Sequence, residues 1–241
     1  MSALLDGARG AAELVACGDP ALRRTLGSTL RIAGEATAIA ALLGVPLGCV
    51  AALAQGRRWR WLRALLDAGL RVPPVLVGQL LWLLLWPDSR WGAGPLAGLQ
   101  WLYTINAAIL AQTLLALPLI AALVAGGIER VPMTLLAQAR ALGAGTPAVA
   151  VLALREARIA VVAALLAGFG TAVATVGALL VVGRDLGELT LATAALSAWN
   201  MGAADAHAVA YGLLLLALFT IVAAAASLLQ HRRRTWLPAS R

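Results

Sequence analysis

Five apolar runs, each at least about 20 residues long, constrain this chain more than any other feature. They fall at about 32–54, 65–86, 104–126, 159–183 and 207–229. A helix rises ~1.5 Å per residue, so each run is long enough to cross a hydrocarbon layer of about 30 Å. Lipid offers no partner to a bare N–H or C=O, and each run must therefore be helical. Composition agrees: 61% of the 241 residues are hydrophobic and 12% are charged, about half the charged share of a soluble domain. The expected fold class is an all-α membrane protein with about five transmembrane helices.

The charges set the orientation. The formal net charge is +8, and the basic residues are arginines placed between the apolar runs. Segment 55–63 holds four of them. Segment 127–158 holds Arg130, Arg140, Arg155 and Arg158, and the tail 230–241 holds Arg232, Arg233, Arg234 and Arg241. Segments 87–103 and 184–206 hold one each, Arg90 and Arg184. Rich and poor segments alternate, and the excess of arginine marks the cytoplasmic side. This puts the C-terminus in the cytoplasm and, with five spans, the N-terminus outside. Such a distribution is that of a membrane protein and not of a nucleic-acid partner. Residues 1–31 read as an amphipathic interfacial segment, broken near Gly18–Pro20, with a sixth, weakly hydrophobic span as the alternative.

Several chemistries are excluded. The chain has no Lys, so it has no Walker A motif and no lysine Schiff base. Cys17 and Cys49, with His207 and His231, make no metal set. There is no HExxH and no GxSxG. No cofactor or metal is expected on this chain, and no catalytic residue. Within the spans, Arg31 with Glu35 and Asp67 with Arg71 stand four apart, the spacing of ion pairs on one helix face. Pro46, Pro73, Pro74 and Pro118 interrupt the first three spans. Gly168, Gly170, Gly177 and Gly183 suit either a pore lining or close helix contact.

Segment 127–158 is too long for a turn between neighbouring helices. Pro132 is placed to open a helix. Leu135, Leu136, Ala139 and Leu142 make an apolar stripe, and Gly143 is a stop. Thr146–Pro147 opens a second helix towards Arg155 and Arg158. Two short helices at the membrane surface must dock on lipid, on their own bundle or on a cytoplasmic partner.

The stretch Ala137-Gln-Ala-Arg-Ala-Leu-Gly143-Ala resembles the EAA loop of ABC-transporter permeases. It keeps Ala139, Arg140, Leu142, Gly143 and Ala144, and departs at Ala137, often Glu in the family, and at Gln138. RVPPVLVGQLLWLLLW (71–86), GPL (94–96), INAAILAQTLLALPLIAAL (105–123), LREAR (154–158) and AALLAGFGTAVATVGALLVVG (163–183) look like the tungstate-type permeases, relatives of molybdate and sulfate permeases. The likeness runs in order over roughly 25–230. It implies the type I importer permease fold, with a coupling-helix loop that fits a cleft in an ATPase. It also implies a homodimer, two ABC ATPase subunits that carry ATP and Mg, and a periplasmic or lipid-anchored binding protein. By the same resemblance Leu136, Ala137, Ala139, Arg140, Leu142, Gly143 and Ala144 form the coupling set, in the bacterial inner membrane. The chain departs from the family at Thr175, where Glu is usual, at Gly183-Arg184-Asp185-Leu186, where Gly-Gly-Asn-Ile is usual, and around Leu189-Thr190-Leu191.

A divalent oxyanion in a low-dielectric passage needs donors. Asn106, Thr171, Thr175, Thr193 and Ser197, with Gly177, are the pathway candidates; each hydroxyl can instead bond back to its own helix. A methionine-type permease shares the layout. A secondary transporter is the rival class, but spans 3 to 5 carry no central acid.

Overall fold

The computed structural model describes residues 9–10, 12–13, 16–54, 57–86, 99–183, 190–200 and 206–234. No strand occurs among them. Among the described residues from Pro20 on, ten helices follow in order: α1 (Pro20–Leu53), α2 (Arg57–Gly69), α3 (Pro74–Leu85), α4 (Ile105–Ile128), α5 (Met133–Ala141), α6 (Thr146–Glu156), α7 (Arg158–Ala174), α8 (Gly177–Val182), α9 (Leu191–Asn200) and α10 (Ala206–Arg234).

Helix α1 corrects the expected boundary at residue 31. It starts at Pro20 and runs for 34 residues, so 20–31 continue the first span. Asp19 is the reason. Its carboxylate accepts from the N–H groups of Ala21 and Leu22, both at 3.0 Å, and Pro20 opens the first turn. The hydroxyls of Thr25, Thr29 and Thr37 bond back to carbonyls four residues earlier. At about 51 Å, α1 is longer than a bilayer core is thick. The expected Arg31–Glu35 pair forms, at 2.8 Å. Asp67 and Arg71 do not pair, because α2 ends at Gly69 and the shared helix face ends with it.

Among the described residues three helices are long and apolar enough to cross a membrane: α1, α4 and residues 208–228 of α10. The expected spans 65–86 and 159–183 are not single helices. The first breaks between α2 and α3 with a bend of 104°. Pro73 and Pro74 force it, since each keeps the residue before it out of the helical region. The second breaks between α7, 17 residues long, and α8. Thr175 is extended there (φ −80, ψ 120), and the β-branched pair Thr175–Val176 is a weak helix former. Residues 191–200 of the expected outer loop form α9, and α10 extends past 229 to Arg234. Residues 235–241 of the expected tail, like Arg184, lie outside the described residues.

The helices run between two ends. At one end Arg63 of α2 reaches the last turn of α1 and the end of α4, and Ala157, before α7, packs with Ile128. At the other, Leu22 of α1 packs with Leu191, Ala194, Ala210 and Tyr211. There too Leu85 of α3 joins Ala107 of α4 and Val182 of α8. The loop helices α5 and α6 stand at the first end.

Small residues bring the backbones together, as they must where lipid removes the hydrophobic drive between helices. A Cβ at Gly48 of α1 would lie 2.5 Å from the Ala121 carbonyl of α4, and one at Gly168 of α7 would lie 2.7 Å from Ile120. Gly168 and Gly177 thus serve tight helix contact.

Candidate functional site: a surface elbow and a broken helix

The elbow between α5 and α6 is built from its backbone. The Ala144 N–H donates to the Ala139 carbonyl and the Gly143 N–H to the Arg140 carbonyl, each at 3.0 Å. These two bonds make a complete Schellman motif. It requires a left-handed residue, and Gly143 supplies it at φ +88. Behind the elbow, Leu136 and Val149 are buried in one cluster with Ile128, Ala153 and Ala157. Ala139 and Ala144 pack against that cluster.

In front of the elbow, Ala137, Arg140, Leu142 and Gly143 are exposed, Leu142 at 89%. The coupling residues inferred from the sequence therefore divide. Leu136, Ala139 and Ala144 seat the elbow on the bundle, and the others face outwards. Beside them α6 opens a shallow pocket of about 390 Å³ lined by Pro147, Ala148, Val151, Leu152 and Arg155. Arg63 supports the same end of the bundle. Its Nε donates to the Ala51 carbonyl at 2.6 Å and Nη2 to the Ala52 carbonyl at 3.4 Å. Nη2 also pairs with Glu129, the cap of α4, at 3.1 Å.

Three of the pathway candidates meet at the α7–α8 break. Thr171 donates its hydroxyl to Ala167, and Thr175 donates its own to the Thr171 carbonyl at 2.7 Å. Both hydroxyls are thus turned back onto α7. Gly177 faces Val75 at the start of α3, where a Cβ would lie 2.9 Å from the Val75 side chain. The two broken helices therefore touch where α3 and α8 begin. Asn106 is exposed in the first turn of α4. Thr193 and Ser197 belong to α9, where Thr193 bonds Thr190 and Ser197 donates to Ala194. Among the described residues no hydrogen bond joins that pair to the α7–α8 break.

The residue missing from the sequence reading is Gln112. It is fully buried in α4, and its Nε2 donates to the Thr175 carbonyl at 3.1 Å. Its Oε1 is buried with no hydrogen-bond partner among the described residues. An amide two turns inside the apolar run 104–126 was the available signal, because polar groups at membrane depth are expensive. Breaking α7 also frees the carbonyls of its last turn. The break thus gathers polar backbone and one amide where the rest of the packing is apolar, as membrane proteins permit where irregular backbone is sheltered by protein.

The fold is thus a membrane-spanning helical bundle with a surface elbow and broken spans. Residues 44–235 match the family of binding-protein-dependent transport system inner membrane components. The tungstate uptake system permease protein TupB of Peptoclostridium acidaminophilum is 33% identical over 224 residues, 90% of this chain and 93% of that one. A probable anion ABC transporter permease protein of Haloferax volcanii is 34% identical over 158 residues, 66% of each chain. A chain in a structure of the MetNI methionine ABC transporter in inward-facing conformations shares the fold. Its TM-score is 0.68, over 87% of this chain and 95% of that one, at 17% identity. The chain belongs to the binding-protein-dependent permease family and is a multi-pass permease subunit of an ABC importer.

Proposed function

We propose that this permease carries an oxyanion, tungstate foremost and molybdate or sulfate next, and that two copies form the pathway. The observation that carries the coupling part is Leu142, 89% exposed at the tip of an elbow seated from behind by Leu136 and Val149. An exposed apolar tip on a rigid seat suits insertion into a partner's cleft. Two ABC ATPase subunits, which bind ATP and Mg, dock there through Ala137, Arg140, Leu142 and Gly143. The chain itself binds neither nucleotide nor cofactor. The substrate assignment is supported by similarity to the tungstate uptake permease over 90% of the chain.

Closure of the ATPases moves the two elbows and shifts the bundle between inward- and outward-facing populations. The α7–α8 break, held by Gln112, is the point at which the fourth span can flex. A binding protein, periplasmic or lipid-anchored, delivers the anion from the side on which α9 lies. The N-terminus is outside and the C-terminus is in the cytoplasm.

The test is purification of the tagged chain with its ATPase and binding protein in liposomes. ATP hydrolysis stimulated by tungstate-loaded binding protein, and lost in Leu142→Asp, is expected. Stimulation by methionine instead would overturn the substrate reading. A Leu142→Asp complex that stays coupled would overturn the docking reading.

A further inference from the structure

At the end of the bundle away from the elbow, helix α1 rises past its neighbour. Ile32 packs with Ala108 and Ile109 of α4, so Thr29, three residues earlier, stands level with Ile105, where α4 begins. Thr29 lies nine residues after Pro20, and about 14 Å of α1 therefore projects beyond that level. The projection is not bare. Leu22, Thr25 and Thr29 share one face and are all buried. Leu22 belongs to one cluster with Leu191 and Ala194 of α9 and with Ala210 and Tyr211 of α10.

Helix α9 depends on that face. It has ten residues, too few for a helix to persist without tertiary support. Its first turn is closed in two ways. Thr190 and Thr193 bond each other reciprocally, each N–H donating to the other's hydroxyl. The N–H of Leu191, a fully buried residue, donates instead to the Thr29 hydroxyl at 2.8 Å, 162 positions away. That hydroxyl in turn donates to the Thr25 carbonyl at 2.7 Å, which leaves its lone pairs for α9. A side chain of α1 thus caps α9 across the bundle. Without it a buried N–H would stand unpaired, which costs more than a hydrogen bond ordinarily contributes.

We propose that Thr29 is a positioning residue, which by capping α9 from α1 holds this end of the bundle in the shape that receives the loaded binding protein. It acts through α9 and touches neither the anion nor the binding protein. A surface that is ordered only part of the time binds more weakly by the fraction of time it is competent. A ten-residue helix kept in place from a neighbouring span avoids that loss. The inference rests on delivery by a binding protein, as proposed above, and is independent of the elbow and of which anion is carried.

The full chain with its ATPase in liposomes is assayed for ATP hydrolysis against the concentration of tungstate-loaded binding protein. Thr29→Val keeps the shape and the β-branch and removes the acceptor. It should raise the half-saturating concentration about tenfold, the loss of one buried hydrogen bond, with the maximal rate unchanged. Thr29→Ser keeps the hydroxyl and should restore the native value. Thr29→Ala leaves room for a water beside the Leu191 N–H and should shift it less, in the same direction. Thr37→Val is the control, because the Thr37 hydroxyl bonds back to Ala33 on its own helix and should change nothing. Amide exchange over residues 190–200, read by mass spectrometry, should speed up about tenfold in Thr29→Val and not in Thr37→Val. Native exchange over 190–200 in Thr29→Val, or a raised exchange with the half-saturating concentration unmoved, would overturn this proposal alone. A native chain indifferent to the binding protein would overturn the delivery reading and this proposal with it.

Discussion

The guanidinium of Arg63 lies 3.1 Å from the Glu129 carboxylate while also holding the last-turn carbonyls of α1. One side chain from the broken second span thus ties the end of the first helix to the residue from which the elbow departs. Carbonyls at a helix C-terminus lack intrahelical partners, and a cation there satisfies both their hydrogen bonding and the helix dipole.

The two halves of this node should differ in strength. The ion pair is about half exposed on each side, and such pairs contribute about 0.2–1 kcal/mol. Glu129→Gln should therefore lower the melting temperature in detergent only slightly. Arg63→Gln also uncaps α1 and should lower it more. Equal losses would show that the carbonyl contacts contribute nothing.

Gly143 should tolerate Asn and reject Val. Nothing lies within 4 Å of a Cβ built there, so any loss comes from the left-handed backbone, about 1–2 kcal/mol for a residue with a Cβ. Asn visits that region more readily than other such residues. Gly143→Val should leave a monodisperse protein with reduced coupling to ATP hydrolysis, and Gly143→Asn should stay near the parent. Coupling intact in Gly143→Val would exclude the elbow from energy transfer.

Packing predictions can be read from a pair of glycines. A Cβ at Gly48 would meet the Ala121 carbonyl at 2.5 Å and Val124 at 2.9 Å, whereas nothing lies within 4 Å of one at Gly126. Overpacking of this kind costs about 1–3 kcal/mol. Gly48→Ala should lower thermal stability by several degrees, and Gly126→Ala should be neutral or slightly stabilising. Thermal scans of the two variants in one detergent give the comparison.

Gln112 offers a test of the helix break. Gln112→Met keeps the volume, strands the Thr175 carbonyl and removes the partnerless Oε1, two effects of opposite sign on stability. Stability should change little, while transport by the liposome-embedded complex should fall because the break is no longer pinned. A variant with wild-type transport would mean that the amide only fills space.

Much was legible in the sequence because the membrane imposes local rules. The apolar runs and the turn at Gly143 each follow from a few neighbouring residues, and α4, α10, the C-terminal part of α1 and the elbow stand where those rules put them. Even the stop before Pro20 was legible, whereas the continuation of α1 through residue 31 was not. Polar residues 23–31 read as an interfacial segment because their partners, Leu191 and the α9–α10 cluster, are about 160 residues away.

What the sequence by itself determined is a helical membrane protein of the permease family with a surface elbow. Those features rest on the length of apolar runs, on charge and on local turn chemistry. Only the tertiary structure decided where spans break, which elbow residues face outwards and that Gln112 holds the Thr175 carbonyl. These depend on contacts across the bundle: Gly177 against Val75, Leu136 against the Ile128 cluster, and an amide donating to a carbonyl 63 positions away. Periodicity along one helix carries no information about which neighbour lies across it, so such pairings appear only once the chain is folded.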